Sequence, residues 1–290
     1  MSETIALLNM KGGVGKTTLA FNLAWYLYQY EPANVLLIDL DPQFNATQCV
    51  MDYKTFQDHR KNKGTIADLM IDQPMMALKS NKKIKKNPAN ALHNVAKSTS
   101  HRLDLLPADL QLAWVVKNPA QMDYRLEKLL EKLRTTYDFV IIDCAPTDSV
   151  LTTMALTASD YLLIPVRPDR FSILGFFNLM ETIKTFRANC TDPHTVKVLG
   201  IVFTQVTSTS QVEKESMKDI STAALNENIH VFTNHLKYST SYIRSIKDQT
   251  PIFQTLWAQE KPKSQVGKIA EELKARIQAA VTTSGKAKKK

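Results

Sequence analysis

The chain has 290 residues, of which 44% are hydrophobic and 22% charged, and it carries a net charge of +9. This composition is that of one large or two small globular domains, and no apolar run approaches the ~20 residues that a membrane-spanning helix needs. Three widely spaced cysteines argue against a disulfide framework and indicate a reducing compartment, so we expect a cytoplasmic protein.

Apolar runs and segments with helical periodicity alternate along the chain. The runs predict strands at 5–8, 35–40, 103–106, 139–143, 161–166 and 198–204, and the periodic segments predict helices at 124–135, 173–187, 212–226 and 266–280. Several of the strands are apolar throughout, as parallel strands covered on both faces are. The pattern predicts an α/β fold, a doubly wound, mostly parallel sheet with helices on both faces.

The positive charge is concentrated in two places. The stretch 54–102 holds eleven Lys or Arg residues against three acids, and the last six residues hold four lysines. Such patches often bind polyanions, either nucleic acid or an anionic membrane surface. Alternatively, they only keep a loop solvated. We therefore expect a single domain over residues 1–284 with a basic insertion at about 54–102, followed by a disordered basic tail at 285–290.

A glycine-rich segment, residues 9–18, separates the first predicted strand from a helical stretch. This is the context of a phosphate-binding loop, in which backbone N–H groups and a helix N-terminus surround phosphate oxygens. Lys16 is placed to contact the β- and γ-phosphates of ATP, and the Thr17 hydroxyl to bind Mg²⁺. The predicted nucleotide-binding residues are Lys11, Gly12, Gly13, Val14, Gly15, Lys16, Thr17 and Thr18.

Two later strands end in acidic residues. Asp39 and Asp41 lie at the end of strand 35–40, and Asp143 ends strand 139–143. An acid at the end of a buried strand is costly without a partner, and Mg²⁺ with its waters provides one. Asp143 is therefore expected to hold Mg²⁺ through water, as in P-loop NTPases.

Several of these motifs resemble those of the ParA/MinD family of ATPases. Residues 11–17 resemble its deviant Walker A motif, K-G-G-x-G-K-T, in which a second lysine precedes the glycines. Residues 39–43 resemble its D-x-D-P-Q motif and residues 143–146 its D-x-P-P. Weaker likenesses occur at 104–113, 164–169 and 249–252. The chain departs from the family at Phe44, where glycine is usual, and in the length and charge of 54–102.

The resemblance implies a slow, partner-stimulated ATPase that uses ATP and Mg²⁺ and dimerises on ATP binding. The implied catalytic residues are Lys11, which crosses to the partner's nucleotide, Lys16, and Asp41, which orients the attacking water. The implied metal residues are Thr17 and Asp143, with Asp39 supporting the metal shell. The dimer would bind DNA non-specifically, associate with the nucleoid, and move a plasmid, chromosome or other cargo with a ParB-like partner.

Two regions leave alternatives open. The DNA-binding residues are expected among Arg244, Lys247, Lys261, Lys263 and Lys268. The apolar face of helix 266–280 predicts packing on the sheet. The same helix could instead lie on a membrane, as in MinD, and a membrane-cycling ATPase that places division sites or cargo is the alternative function. The acidic pair Glu271–Glu272 argues against it, and a membrane partner is not expected.

A further alternative function is an electron-transfer ATPase. It would need a second cysteine converging with Cys144.

Overall fold

Apolar and alternating runs form one sheet in the computed structural model, which describes residues 2–71, 87–190, 196–207, 210–258 and 260–287. The strands are β1 Glu3–Leu7, β2 Val35–Leu40, β3 His93–Lys97, β4 Arg102–Leu106, β5 Phe139–Cys144, β6 Tyr161–Val166 and β7 Lys197–Phe203. Their order is β3-β4-β2-β5-β1-β6-β7, and each neighbouring pair is parallel except β3 with β4. The chain thus runs from β1 to the β3 edge, returns to β5 beside β1, and then continues on the other side of β1 through β6 to β7.

Helices cover both faces of the sheet. They are α1 Lys16–Tyr30, α2 Asn45–Gln48, α3 Tyr53–Asn62, α4 Ile66–Met70, α5 Leu112–Lys117, α6 Arg125–Glu131, α7 Val150–Ala158, α8 Ser172–Asn189, α9 Gln211–Asn226, α10 Thr240–Lys247 and α11 Glu260–Ala287. Consecutive strand residues point to opposite faces, so Leu36 and Ile38 join the core under α5 to α9. Val35 and Leu37 join the core under α1 and α11. This arrangement confirms the predicted doubly wound α/β fold.

The predicted elements agree with the structure in type and differ at their ends. Strands β2 and β6 have the predicted bounds, and the other four predicted strands differ by one or two residues. The helix predicted at 124–135 stops at Glu131, and the one predicted at 266–280 extends to Glu260–Ala287. The final helix therefore enters the segment expected to be a disordered tail. Residues 288–290 lie outside the described residues.

The basic insertion is more regular than its sequence indicated. It contributes α3, α4, a 3-10 turn at Pro88–Ala91 and the edge strand β3, which pairs antiparallel with β4 and was not predicted. Its apolar side chains, including Phe56, Ile66 and Met70, are buried. The lysine-rich run 81–88 predicts an exposed loop, but most of it lies within residues 72–86, outside the described residues. The described parts of the insertion therefore belong to the folded core.

The imidazole of His59 anchors the insertion. It is 6% exposed, and Nε2 lies 3.0 Å from the carbonyl oxygen of Ala91, to which the neutral ring donates. Burial lowers the pKa of His59 to about 4, because a buried imidazolium is poorly solvated.

We predict that acid destabilises the protein through His59. The unfolded state binds a proton below pH 6.5, whereas the folded state does so only near pH 4. The neutral ring's stabilising effect is therefore complete above pH 6.5 and decreases as the pH falls to 4. Between pH 7.5 and pH 5, the free energy of unfolding of His59→Gln should fall by about 2 kcal/mol less than that of the wild type. The measurement is urea unfolding at both pH values. Equal acid sensitivity in the variant and the wild type would contradict this.

Candidate nucleotide-binding and hydrolysis site

The loop between β1 and α1 has the shape of a phosphate-binding loop. Gly13 (φ 70°) and Gly15 (φ 82°) adopt left-handed conformations that side chains disfavour, and Gly15 is the N-cap of α1. From the end of β7, the Thr204 hydroxyl donates to the carbonyl of Val14 at 2.6 Å, and the Gln205 amide donates to the carbonyl of Gly13 at 2.7 Å. These bonds fix the loop by its carbonyls and do not use its N–H groups, which phosphate oxygens need.

Lys16 lies along the inside of this loop. Its side chain is buried, and Nζ donates to the carbonyls of Asn9 (3.1 Å) and Lys11 (3.0 Å). Burial lowers the pKa of Lys16, and the nearby carboxylate of Asp143 opposes that shift. The ammonium group is thus held among the backbone groups that would surround a phosphate.

Thr17 and Asp143 form the part of the site that is suited to a metal ion. The Thr17 hydroxyl donates to Oδ2 of Asp143 at 2.7 Å, while the buried Oδ1 has no hydrogen-bond partner among the residues that the structure describes. Burial raises the pKa of Asp143, against the opposing effects of Thr17 and Lys16. Carboxylate and hydroxyl oxygens are the ligands that Mg²⁺ prefers, and its charge would compensate the buried carboxylate. The residues present therefore fit Mg²⁺.

Asp39 lies next to Asp143 in the register of β2 and β5, but its hydrogen bonds go elsewhere. Its Oδ2 accepts from the backbone N–H of Thr47 at 2.7 Å and from the Thr47 hydroxyl at 2.8 Å, and its Oδ1 accepts from the N–H of Asp41 at 3.2 Å. Burial and the neighbouring Asp143 raise the pKa of Asp39. What the structure shows for Asp39 is an anchor for the loop after β2, and its metal-supporting role stays a prediction.

Asp41 begins this loop at the same edge of the sheet, and its carboxylate accepts from the N–H of Gln43 at 2.8 Å. Three residues along, Phe44 has a φ of 44°, which explains why glycine is usual there. The Phe44 ring stacks on that of Phe56 in α3, with ring centroids 5.3 Å apart. The insertion therefore packs against the residue at which the chain departs from the family pattern.

Lys11 is bound within its own chain. Its Nζ lies 2.6 and 2.5 Å from the two carboxylate oxygens of Asp169, in the loop after β6, and 5.9 Å from the centroid of the Phe171 ring. Partial burial raises the pKa of Asp169, but hydrogen bonds from Lys11 and Ser172 lower it below its usual value. About a third of each charged side chain is exposed, 31% for Lys11 and 30% for Asp169. No local sequence pattern indicates this pairing, because the two residues are 158 positions apart.

A cavity of about 160 Å³ lies beside the start of α1, and the sequence did not predict it. Its lining comes from three separate segments and includes Gly15, Thr18, Gln205, Leu236, Tyr238 and Ile243. No local motif marks these residues, because only folding brings the segments together. The cavity is largely apolar and adjoins the phosphate-binding loop, as a site for a nucleotide base would.

The basic residues predicted to bind DNA have different surroundings. Arg244 lies 4.3 Å from the centroid of the Trp257 ring and pairs with Asp248, and Lys263 pairs with Glu260. Lys247, Lys261 and Lys268 are exposed. Lys237, which sequence reasoning missed, has its ammonium group beside that of Lys261, and this like charge lowers the pKa of Lys237. The lysines at 79–86 in the insertion and at 288–290 in the tail lie outside the described residues.

The apolar face of α11 packs on the sheet, as predicted. Val266, Ile269, Ala270, Leu273 and Ile277 are buried in the core under α1, whereas Val281 at the end of the predicted face is exposed. This packing leaves little of the predicted apolar face for a membrane. Within the described ranges, no helix is both long and apolar enough to cross a bilayer.

The three cysteines are free thiols. Cys49 and Cys144 are buried, and Cys190 is partly buried. In the part of the chain that the structure describes, no three His, Cys, Asp or Glu side chains are grouped so that they could hold a metal ion.

The fold and the site define a P-loop ATPase, with Lys16, Thr17 and Asp143 gathered at the carboxyl edge of a parallel sheet. A family model described as an AAA domain matches residues 2–196. The chromosome partitioning protein ParA of Caulobacter vibrioides is 31% identical over 223 residues, which are 75% of this chain and 75% of that protein. The chain belongs to the ParA family of ATPases.

Two solved structures share the fold. A variant of McdA from Cyanothece in complex with ATP has a TM-score of 0.75 at 22% identity, over 95% of this chain and 96% of that one. Cobyrinic acid a,c-diamide synthase from Mycobacterium smegmatis, with a bound ATP analogue and magnesium, has a TM-score of 0.65 at 25% identity, over 86% of this chain and 93% of that one. ATP and Mg²⁺ are thus found in structures of this class.

We predict that Lys16→Ala weakens nucleotide binding itself. Loss of a charged hydrogen-bond donor to phosphate should raise the Kd for ATP about 10- to 100-fold, measured by titration with a fluorescent ATP analogue. Lys128→Ala, which removes an exposed lysine from α6, is the control and should leave the Kd unchanged. An unchanged Kd in Lys16→Ala would show that Lys16 does not contact the nucleotide.

Proposed function

We propose that this ATPase dimerises on binding ATP, binds DNA non-specifically as a dimer, and positions a plasmid, chromosome or other intracellular cargo with a ParB-like partner that stimulates slow hydrolysis. The observation that carries the proposal is the position of Lys11. Its ammonium group is bound to Asp169 at the rim of the site and not to its own phosphate-binding loop. A cation at the rim is available to a nucleotide held by a second subunit.

Each residue at the carboxyl edge has a distinct part in hydrolysis. Lys16 neutralises phosphate charge, and Thr17 and Asp143 would hold Mg²⁺, which supplies further neutralisation of phosphate oxygens. Asp41 orients the attacking water from the end of β2. Lys11 of a second subunit adds positive charge where negative charge develops, as an arginine finger does. Hydrolysis therefore requires the dimer.

The apolar cavity next to Gly15 is the proposed site of the adenine base. Leu236, Tyr238 and Ile243 supply its apolar lining, and Gln205 supplies an amide that bonds the phosphate-binding loop at the same time. A base in this cavity would place its phosphates on the loop. This assigns the nucleotide contacts that no sequence motif identified.

Two observations support DNA as the polyanionic partner. Lys237 and Lys261 place like charges side by side, and Lys261 lies in the first turn of α11, where the helix dipole disfavours a cation. A phosphate group bound between the two ammonium groups, next to the N-terminus of α11, would make both arrangements favourable. Arg244 and Lys247 extend the positive surface along α10, next to the proposed base cavity.

We predict that Asp169→Asn favours the ATP dimer. In the monomer the Lys11–Asp169 pair must break before Lys11 can cross to a second subunit, and a partly exposed pair contributes at most ~1 kcal/mol. Half-maximal dimerisation should therefore occur at an ATP concentration about 2- to 5-fold lower, measured by light scattering after size exclusion.

The matched control is Glu227→Gln, which removes the surface pair between Lys184 and Glu227 and should not change dimerisation. Lys11→Ala should bind ATP as a monomer and lose hydrolysis. Weaker dimerisation in Asp169→Asn, or normal hydrolysis by monomeric Lys11→Ala, would contradict the proposed crossing of Lys11.

We predict that DNA binding depends on ATP and falls steeply with salt. Each phosphate contact that is lost should reduce the slope of log K against log salt by about 0.9. The double variants Lys237→Ala/Lys261→Ala and Arg244→Ala/Lys247→Ala should each lower this slope, whereas Lys128→Ala/Lys132→Ala, at the C-terminal end of α6, should not. The measurement is fluorescence anisotropy with a random-sequence duplex, in ATP and in ADP. Equal binding in both nucleotides would refute the switch.

A further inference from the structure

Thr47 is a buried threonine behind the proposed site, at the third residue of α2. Its side chain has no solvent exposure. Its hydroxyl donates to Oδ2 of Asp39 at 2.8 Å and accepts from the N–H of Ala108 at 3.0 Å. The hydroxyl therefore links the end of β2 to the loop that follows β4.

The carboxylate of Asp39 closes the loop that carries Asp41. The N–H of Asp41, at the start of the loop, donates to one oxygen, and the N–H and hydroxyl of Thr47, at its end, donate to the other. Within the loop, the N–H of Phe44 donates to the carbonyl of Asp41 at 2.8 Å. One buried carboxylate thus holds both ends of the loop.

This polar link is a poor way to gain stability alone. Asp39 is fully buried, and desolvation of a carboxylate is costly unless all its hydrogen bonds are made. Apolar side chains of the same volume would fill the space without that cost. What the link does provide is direction, because hydrogen bonds fix Asp41 relative to β2 and to the loop after β4.

We propose that Thr47 is a positioning residue for ATP hydrolysis, which acts through Asp39 to hold Asp41 where it can orient the attacking water. The inference rests on the role proposed for Asp41. The Thr47 hydroxyl itself contacts Asp39 and the backbone of Ala108, so its removal should alter the rate of hydrolysis and not the binding of ATP.

The test compares three substitutions of Thr47 with a matched control. Thr47→Val keeps the shape and removes the hydroxyl, Thr47→Ser restores it, and Thr47→Cys supplies a weaker donor. Thr4→Val is the control, because Thr4 is also fully buried and its hydroxyl has no hydrogen-bond partner within the described part of the chain. Asp41→Ala marks the rate without the water-orienting carboxylate.

We expect kcat for ATP hydrolysis with Mg²⁺ to fall about 10- to 100-fold in Thr47→Val, with the Kd for ATP unchanged. Among the three variants, kcat should be highest in Thr47→Ser, lower in Thr47→Cys and lowest in Thr47→Val. The difference between the serine and cysteine variants can be measured even if the valine variant folds poorly. Thr4→Val should hydrolyse ATP like the wild type.

Wild-type kcat in Thr47→Val with an inactive Asp41→Ala would overturn this inference and leave the proposed function standing. A serine variant no faster than the valine variant would also overturn it, because the hydroxyl would then not be the group that matters. Wild-type kcat in Asp41→Ala would overturn both this inference and the role given to Asp41.

Discussion

Two carboxylates, Asp39 and Asp143, lie side by side in register at the ends of neighbouring buried strands, and the surrounding loops supply the groups that keep them there. Desolvation raises the pKa of both, so each needs donors or a cation. Asp39 has its donors in the loop that ends at Thr47. Asp143 has the Thr17 hydroxyl, and its other oxygen, which no described residue hydrogen-bonds, leaves it suited to Mg²⁺. The site follows from how each of these two charges is satisfied.

The same constraint ties the basic insertion to the site. In the loop after β4, the N–H of Ala108 donates to the Thr47 hydroxyl. In the same loop, the carbonyl of Pro107 accepts a hydrogen bond from the N–H of Ile66, the first residue of α4. Phe56 of α3 supports the left-handed Phe44. The described parts of the insertion therefore contact the loop that carries Asp41, and their burial gives them a structural role.

The ion pair between Lys11 and Asp169 gives the isolated subunit a defined arrangement. A lysine needed by a second subunit would otherwise lose side-chain entropy on each encounter. In the proposed dimer this lysine, held at the rim by a partly exposed carboxylate, would exchange one anionic partner for another. Because the pair is partly exposed, that exchange would cost little, which suits the proposed interface that forms and separates with each nucleotide cycle.

The sequence by itself determined the strand–loop–helix context of Lys16 and Thr17, the acids at the ends of β2 and β5, and the alternation that makes an α/β fold. These are local patterns, because strand burial, glycine spacing and helical periodicity are written in neighbouring residues. It did not predict β3, since that edge strand is half exposed and lacks a continuous apolar run.

Only the tertiary structure decided the partners of Lys11, Asp39 and Lys237 and the lining of the cavity beside the start of α1. Lys11 and Asp169 are 158 residues apart, and Gly13 and Gln205 are 192 apart. Such pairs meet because parallel strands bring their carboxyl ends to one edge of the sheet, and no local pattern specifies which loop residues will face each other there.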